Sequence, residues 1–174
     1  MKQLVLSAAL AVVSLLAFTS VASAGITSPA PGGTAQVHGT LEYQGGILTA
    51  TCSATFNGTV LSVTSVRFTS GSSGCTTGAL SFNDFPWLKK VNLDGTWELG
   101  DSSGSQINMI YSIPVIGDCG YGGVIGGIWI SDGSDTILIV SDELSGVFRV
   151  SGSFLCTDRP ALGGTFVLRG VTTE

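Results

Sequence analysis

From Ala35 to Tyr43 the chain alternates. Ala35, Val37, Gly39, Leu41 and Tyr43 fall on one side, and Gln36, His38, Thr40 and Glu42 on the other. A period of two is that of a half-buried β-strand. After Gly45-Gly46 the alternation resumes, with Leu48, Ala50, Cys52, Ala54 and Phe56 set against Thr49, Thr51, Ser53 and Thr55. Asn57-Gly58 comes next. Both residue types tolerate positive φ, so the pattern predicts a two-residue hairpin there and a return strand over 59–68.

A Gly/Ser-rich stretch, 70–78, reads as a loop holding Cys75, and 91–99 as a second hairpin around Asp94-Gly95. Residues 102–105 predict a further turn. Ile107, Met109, Tyr111 and Ile113 mark a strand over 106–113 that Pro114 should end. Segments 122–130, 136–140, 146–153 and 165–171 supply four more strands, with Asp132-Gly133-Ser134-Asp135 as the turn between two of them. No capped amphipathic helix follows residue 24. Nine or ten short strands with regular turns predict an all-β protein, either an antiparallel β-sandwich or a barrel-like sandwich. The expected organisation is an extended arm over 25–33, which carries Pro29 and Pro31, and a single domain over 34–174.

The first 24 residues read as a signal peptide. Lys2 supplies a basic start, 4–18 are mostly apolar, and Ala22-Ser23-Ala24 is a small-residue cleavage site. The expected location is outside the cytoplasm: secreted, periplasmic or at the cell surface of a bacterium. No later segment is long and apolar enough to predict a transmembrane helix in the mature chain. The 174 residues carry seven basic and twelve acidic side chains, and only 11% of them are charged. That charge gives no electrostatic footprint for nucleic acid. Four cysteines in an exported chain, 52, 75, 119 and 156, predict two disulfides. The local pairing Cys52–Cys75 with Cys119–Cys156 suits a meander best.

Candidate chemistry is sparse. A single histidine, His38, and the lack of C-x-x-C spacing leave no expected metal site or cofactor. Gly100-Asp101-Ser102-Ser103-Gly104 half-matches the nucleophile loop of trypsin-like proteases, but His38 lacks the matching context, so a Ser/Gly turn is the expectation. Asp132 and Asp135 are too few carboxylates for a calcium loop and read as turn residues. Asn57-Gly58-Thr59 has the form of a glycosylation acceptor, though the hairpin accounts for it. Lys89-Lys90 reads as a solvated strand edge. Phe82, Phe85, Pro86 and Trp87 form the one aromatic cluster. It is either a plug between sheets, which the flanking Leu80 and Leu88 favour, or an exposed apolar patch facing hydrocarbon, lipid or a partner subunit.

Cys52-Ser53-Ala54-Thr55-Phe56-Asn57-Gly58, then Val66-Arg67-Phe68, a Gly/Ser stretch to Cys75, Phe85-Pro86-Trp87 and two further cysteines make a recognisable order. It resembles the exported "protein activator of alkane oxidation", or PraB-like, family. Phe85 stands where that pattern has leucine. The resemblance implies a secreted bacterial protein linked to growth on alkanes, and no catalytic residue. Three functions compete: a non-enzymatic exported protein assisting contact with hydrophobic substrates, a self-associating subunit of an extracellular fibre or matrix, and a small secreted hydrolase. The scarcity of histidine and of clustered carboxylates argues against the last. The arm over 25–33 would serve the second by adding a strand to a neighbour's sheet.

Overall fold

The structure is a computed structural model and describes residues 25–45, 48–92, 94–100, 106–132, 134–169 and 171–173. The expected signal peptide and the turn over 102–105 lie outside the described residues. The strands are β1 (Ile26–Ser28), β2 (Thr34–Gly45), β3 (Leu48–Ser62), β4 (Ser65–Cys75), β5 (Ala79–Asn83), β6 (Trp87–Val91) and β7 (Thr96–Leu99). They continue as β8 (Ile107–Ile113), β9 (Gly117–Ser131), β10 (Thr136–Val140), β11 (Gly146–Gly152), β12 (Ala161–Arg169) and β13 (Thr172–Thr173). One turn of 3-10 helix, Asp142–Leu144, joins β10 to β11.

Eight strands close on themselves as an antiparallel barrel, in the cyclic order β2-β3-β4-β6-β7-β9-β10-β12 and back to β2. Of the two all-β architectures the alternation allowed, these pairings are those of a barrel. Closure leaves none of the eight with an unpaired edge along its barrel-forming length. The fifteen-residue β9 belongs to two sheets. Its second half, from Ile125, pairs with β7 and β10 in the barrel. Its first half pairs with β8 and β11, giving an open sheet in the order β5-β8-β9-β11.

The alternation of β2 sets its face: Ala35, Val37, Leu41 and Tyr43 are buried, while Gln36, Thr40 and Glu42 point out. Inside the barrel Val37 and Leu41 meet Phe56, Phe68, Trp97, Leu99, Leu138 and Phe166. On β8 the same period buries Ile107, Met109, Tyr111 and Ile113.

Asn57-Gly58 is not a hairpin. Both residues lie within β3, which runs on to Ser62, and the chain reverses at Val63-Thr64. There the Ser62 and Ser65 hydroxyls are 2.7 Å apart, and the Thr64 amide donates to Ser62 Oγ at 3.2 Å. Gly58 instead sits at a bulge. Asn57 pairs with Ser70 and Gly58 with Phe68, so Thr69 is the extra residue on β4. A Cβ at Gly58 would lie 2.1 Å from the Arg67 carbonyl oxygen, so the glycine is required by the close approach of β4. The return strand therefore begins at Ser65, and the Gly/Ser stretch as far as Cys75 is strand rather than loop.

The second hairpin does form, between β6 and β7. Asp94 Oδ1 accepts from the Thr96 amide at 2.9 Å and from Thr96 Oγ1 at 2.6 Å, and Gly95 adopts φ +83°. These bonds hold the Asp94 carboxyl below its ordinary value. The cysteines join locally, Cys52 with Cys75 across β3 and β4, and Cys119 of β9 with Cys156 after β11. The arm over 25–33 folds back on its own chain. β1 pairs with β13, the Ile26 amide donates to Val63 O, and Gly32 and Gly33 exchange hydrogen bonds with Val60 at 2.8 and 2.9 Å.

Lys89 is the largest departure from the sequence reading. It is 1% exposed, and it points into the barrel between the inward-facing Trp87 and Val91. Its neighbour Lys90 alternates away from that interior.

Candidate functional site

The aromatic cluster divides. Trp87 is fully buried, stacked on Phe85 at a centroid distance of 4.5 Å and edge-on to Phe82 at 5.6 Å, with Phe56 at 5.8 Å. Its indole N–H donates to the Asn83 carbonyl at 2.9 Å. Phe82 and Phe85 are half-buried against it, and only Pro86, between β5 and β6, is exposed. The tryptophan is a core residue, so this cluster does not form an exposed apolar patch.

The other candidates offer little chemistry. Ser102 and Ser103 lie outside the described residues. His38 is half-buried on β2, level with Thr55 and Val167 on the adjoining strands. Asp132 Oδ1 accepts from the amides of Ser134 and Asp135 at 3.1 and 2.7 Å and from Ser134 Oγ at 3.3 Å. That oxygen is spent on the turn, which holds the Asp132 carboxyl below its ordinary value. Among the described residues no group of three or more His, Cys, Asp or Glu could hold a metal ion.

Exposed apolar side chains gather instead at the free side of the open sheet. Among the described residues β9 is the one strand that pairs with β11. Phe148 and Val150, two apart, share its outer face and are 42% and 54% exposed. The turn after it carries Phe154 at 88% and Leu155 at 59%. The backbone of this turn is tied down. The Cys156 amide donates to Ser153 O at 3.0 Å, the Leu155 amide donates to Ser153 Oγ at 3.2 Å, and Cys156 is bonded to Cys119. Arg149 alternates to the opposite side. It donates to Ser153 O at 2.6 Å, pairs with Asp158 at 2.5 Å, and its amide donates to Asp158 O at 2.8 Å.

Beneath that strand lies a tyrosine pair. Tyr121, opposite Arg149 in register, is 2.7 Å from the Tyr43 hydroxyl, and both rings are buried. Burial pushes both phenols above their ordinary range, so they stay neutral and serve as structural hydrogen-bonding groups. A second, flatter apolar area lies on the barrel wall, where Ile128 and Ile130 of β9 stand beside Ile139 and Ile137 of β10.

The strand that the sequence predicts over 146–153 does not single out these four edge residues. The signal was present in the two-residue spacing of Phe148 and Val150, and in Phe154-Leu155 beside a cysteine. What these side chains can do is physical rather than covalent. They present a fixed apolar surface bordered by one internally paired arginine, suited to contact with an apolar phase.

No curated protein and no solved structure matches the chain. Residues 1–160 match the family described as alkane oxidation protein activator PraA/PraB-like, a span that takes in both disulfides and the whole apolar edge. The chain belongs to the PraA/PraB-like family of alkane oxidation protein activators.

Proposed function

We propose that this protein is an exported, non-catalytic β-barrel that assists the use of alkanes by making contact with hydrocarbon through the free edge of its open sheet. The observation that carries this reading is the fixed exposure of Phe148, Val150, Phe154 and Leu155 on one strand and the turn that follows it. Two disulfides and a leader of signal-peptide form support export, and the family's description supports the link to alkanes.

Adsorption to emulsified hexadecane tests the proposal. Removing a Phe or a Leu side chain from an apolar contact is worth roughly 1.5–3 kcal/mol. Phe154→Ser with Leu155→Ser should therefore weaken droplet binding about a hundredfold or more while leaving the thermal midpoint nearly unchanged. Equal adsorption by wild type and the double variant would refute it.

A further inference from the structure

We propose that Lys89 is a proton-operated latch on the barrel: as a neutral amine it lets the short β6 seam stay closed, and as an ammonium ion it favours opening of β6 from β7 so that the charge reaches water. Lys89 Nζ is buried and has no hydrogen-bond partner among the described residues. Around it stand Val37 and Leu41 of β2, Phe56 of β3, Phe68 of β4 and Trp97 and Leu99 of β7. The far walls are Ile125, Leu138 and Phe166, from β9, β10 and β12. Among the described residues no other titratable side chain lines this space: buried Tyr43 of β2 and Tyr121 of β9 bond to each other outside it, His38 alternates opposite Val37, and Glu42, Asp118 and Arg169 are exposed. The charged residues nearest in register, Arg67 and Glu98, alternate to the exposed face, and Lys90 points away from the interior.

A ligand does not account for this amine. The interior holds a cavity of about 20 Å³, against roughly 150 Å³ for a dry cavity that takes benzene. A lone water there would find one polar partner where it needs two to four. The ammonium form is therefore left with desolvation and nothing to offset it.

The escape route is local. β6 is held to β7 by three registered pairs, Lys89–Leu99, Lys90–Glu98 and Val91–Trp97, and to β4 by four. β2 and β3 share twelve. Opening at β6–β7 gives Nζ to solvent without disturbing the long strands.

Burial pushes the lysine down from 10.5 to about 7. The closed form therefore binds the proton less tightly than the open form. Closure is strongest above pH 10.5, weakens as pH falls towards 7, and levels off below 7, where both forms are charged. Within that window the open population should grow by up to tenfold per pH unit.

Amide hydrogen exchange, normalised to the rates of unstructured peptide, tests this between pH 6 and 9.5. In the wild type, protection of the β6 and β7 amides should fall as pH drops from 9.5 to 7 and then level. β2 and β3, which exchange only when the whole barrel opens, should stay better protected than β6 and β7 at every pH. In Lys89→Met, a replacement of similar shape, β6 and β7 should be equally protected at every pH; Lys89→Leu gives an independent apolar replacement. A Lys89 titration followed by the 13C shift of its ε-carbon needs no variant. Identical pH dependence in wild type and variant, protection of β6 and β7 no lower than that of β2 and β3 at pH 7, or a titration midpoint in the ordinary lysine range would each overturn the latch.

Discussion

Trp87→Ala tests whether the aromatic cluster holds the fold together. The indole is wholly withdrawn from water, and an aromatic side chain of this size buries roughly 200 Å². At ~25 cal/mol per Å², less the methyl that alanine keeps, the lost transfer term is about 4 kcal/mol. Breaking the hydrogen bond to Asn83 O adds about 1 kcal/mol if that carbonyl stays dry. Relaxation offsets part of this. Phe82 and Phe85 are only half-buried and can lean into the space, whereas Phe56 is fixed within β3. The net expectation is ~3–5 kcal/mol, in line with large aromatic truncations elsewhere. Trp87→Phe, which keeps a ring between Phe85 and Phe82, should cost less than half of that. Urea unfolding with the disulfides intact measures both. It should be followed by far-ultraviolet circular dichroism, since the substitution removes one of three tryptophan fluorophores. A Trp87→Ala loss below about 1 kcal/mol, the range of ordinary surface substitutions, would refute the packing argument.

Gly58→Ala places a methyl 2.1 Å from a backbone oxygen and should cost more than about 2 kcal/mol in thermal or urea melts. Gly95→Ala meets no atom within 4 Å and should lose only the roughly 1 kcal/mol of a left-handed alanine, so equal losses at the two sites would contradict the bulge. Replacing either cysteine pair by alanine opens loops of similar span, with sequence separations of 23 and 37 residues. The two double variants should each lose about 3–4 kcal/mol and differ by less than about 1 kcal/mol in the same melts.

The strands were legible wherever one face is buried and the other wet, as in β2 and β8, because burial imposes the period of two directly. What escaped was decided by distant parts of the chain. Asn57-Gly58 has the local chemistry of a turn, but β4 approaches so closely there that the glycine serves a bulge. Nothing within a few residues of it announces that. The barrel was equally hidden, since closure depends on β9 pairing on both sides, and the pattern showed only its 122–130 portion as strand rather than all fifteen residues. For Lys89 the chemistry was misleading. The charge of Lys89-Lys90 argued for a solvated edge, whereas Trp87, Lys89 and Val91 alternate inward in β6. The candidate site was the least legible part, because exposure of Phe148 and Phe154 depends on what fails to cover them, and no short window of sequence records that.

The seam between β2 and β12 has a kinetic consequence. It joins Gln36 to Arg169, so the barrel cannot shut until β12 is available to pair with β2. Before that moment β2 and β12 are both ladder edges, and Val37, Leu41, Phe166 and Leu168 line a trough open to solvent. Pairing over such distances makes folding slow, in the millisecond-to-second range of β-rich topologies, and leaves the unfinished chain adhesive throughout. Concentration during refolding, more than the stability of the finished barrel, will therefore govern the yield of folded protein.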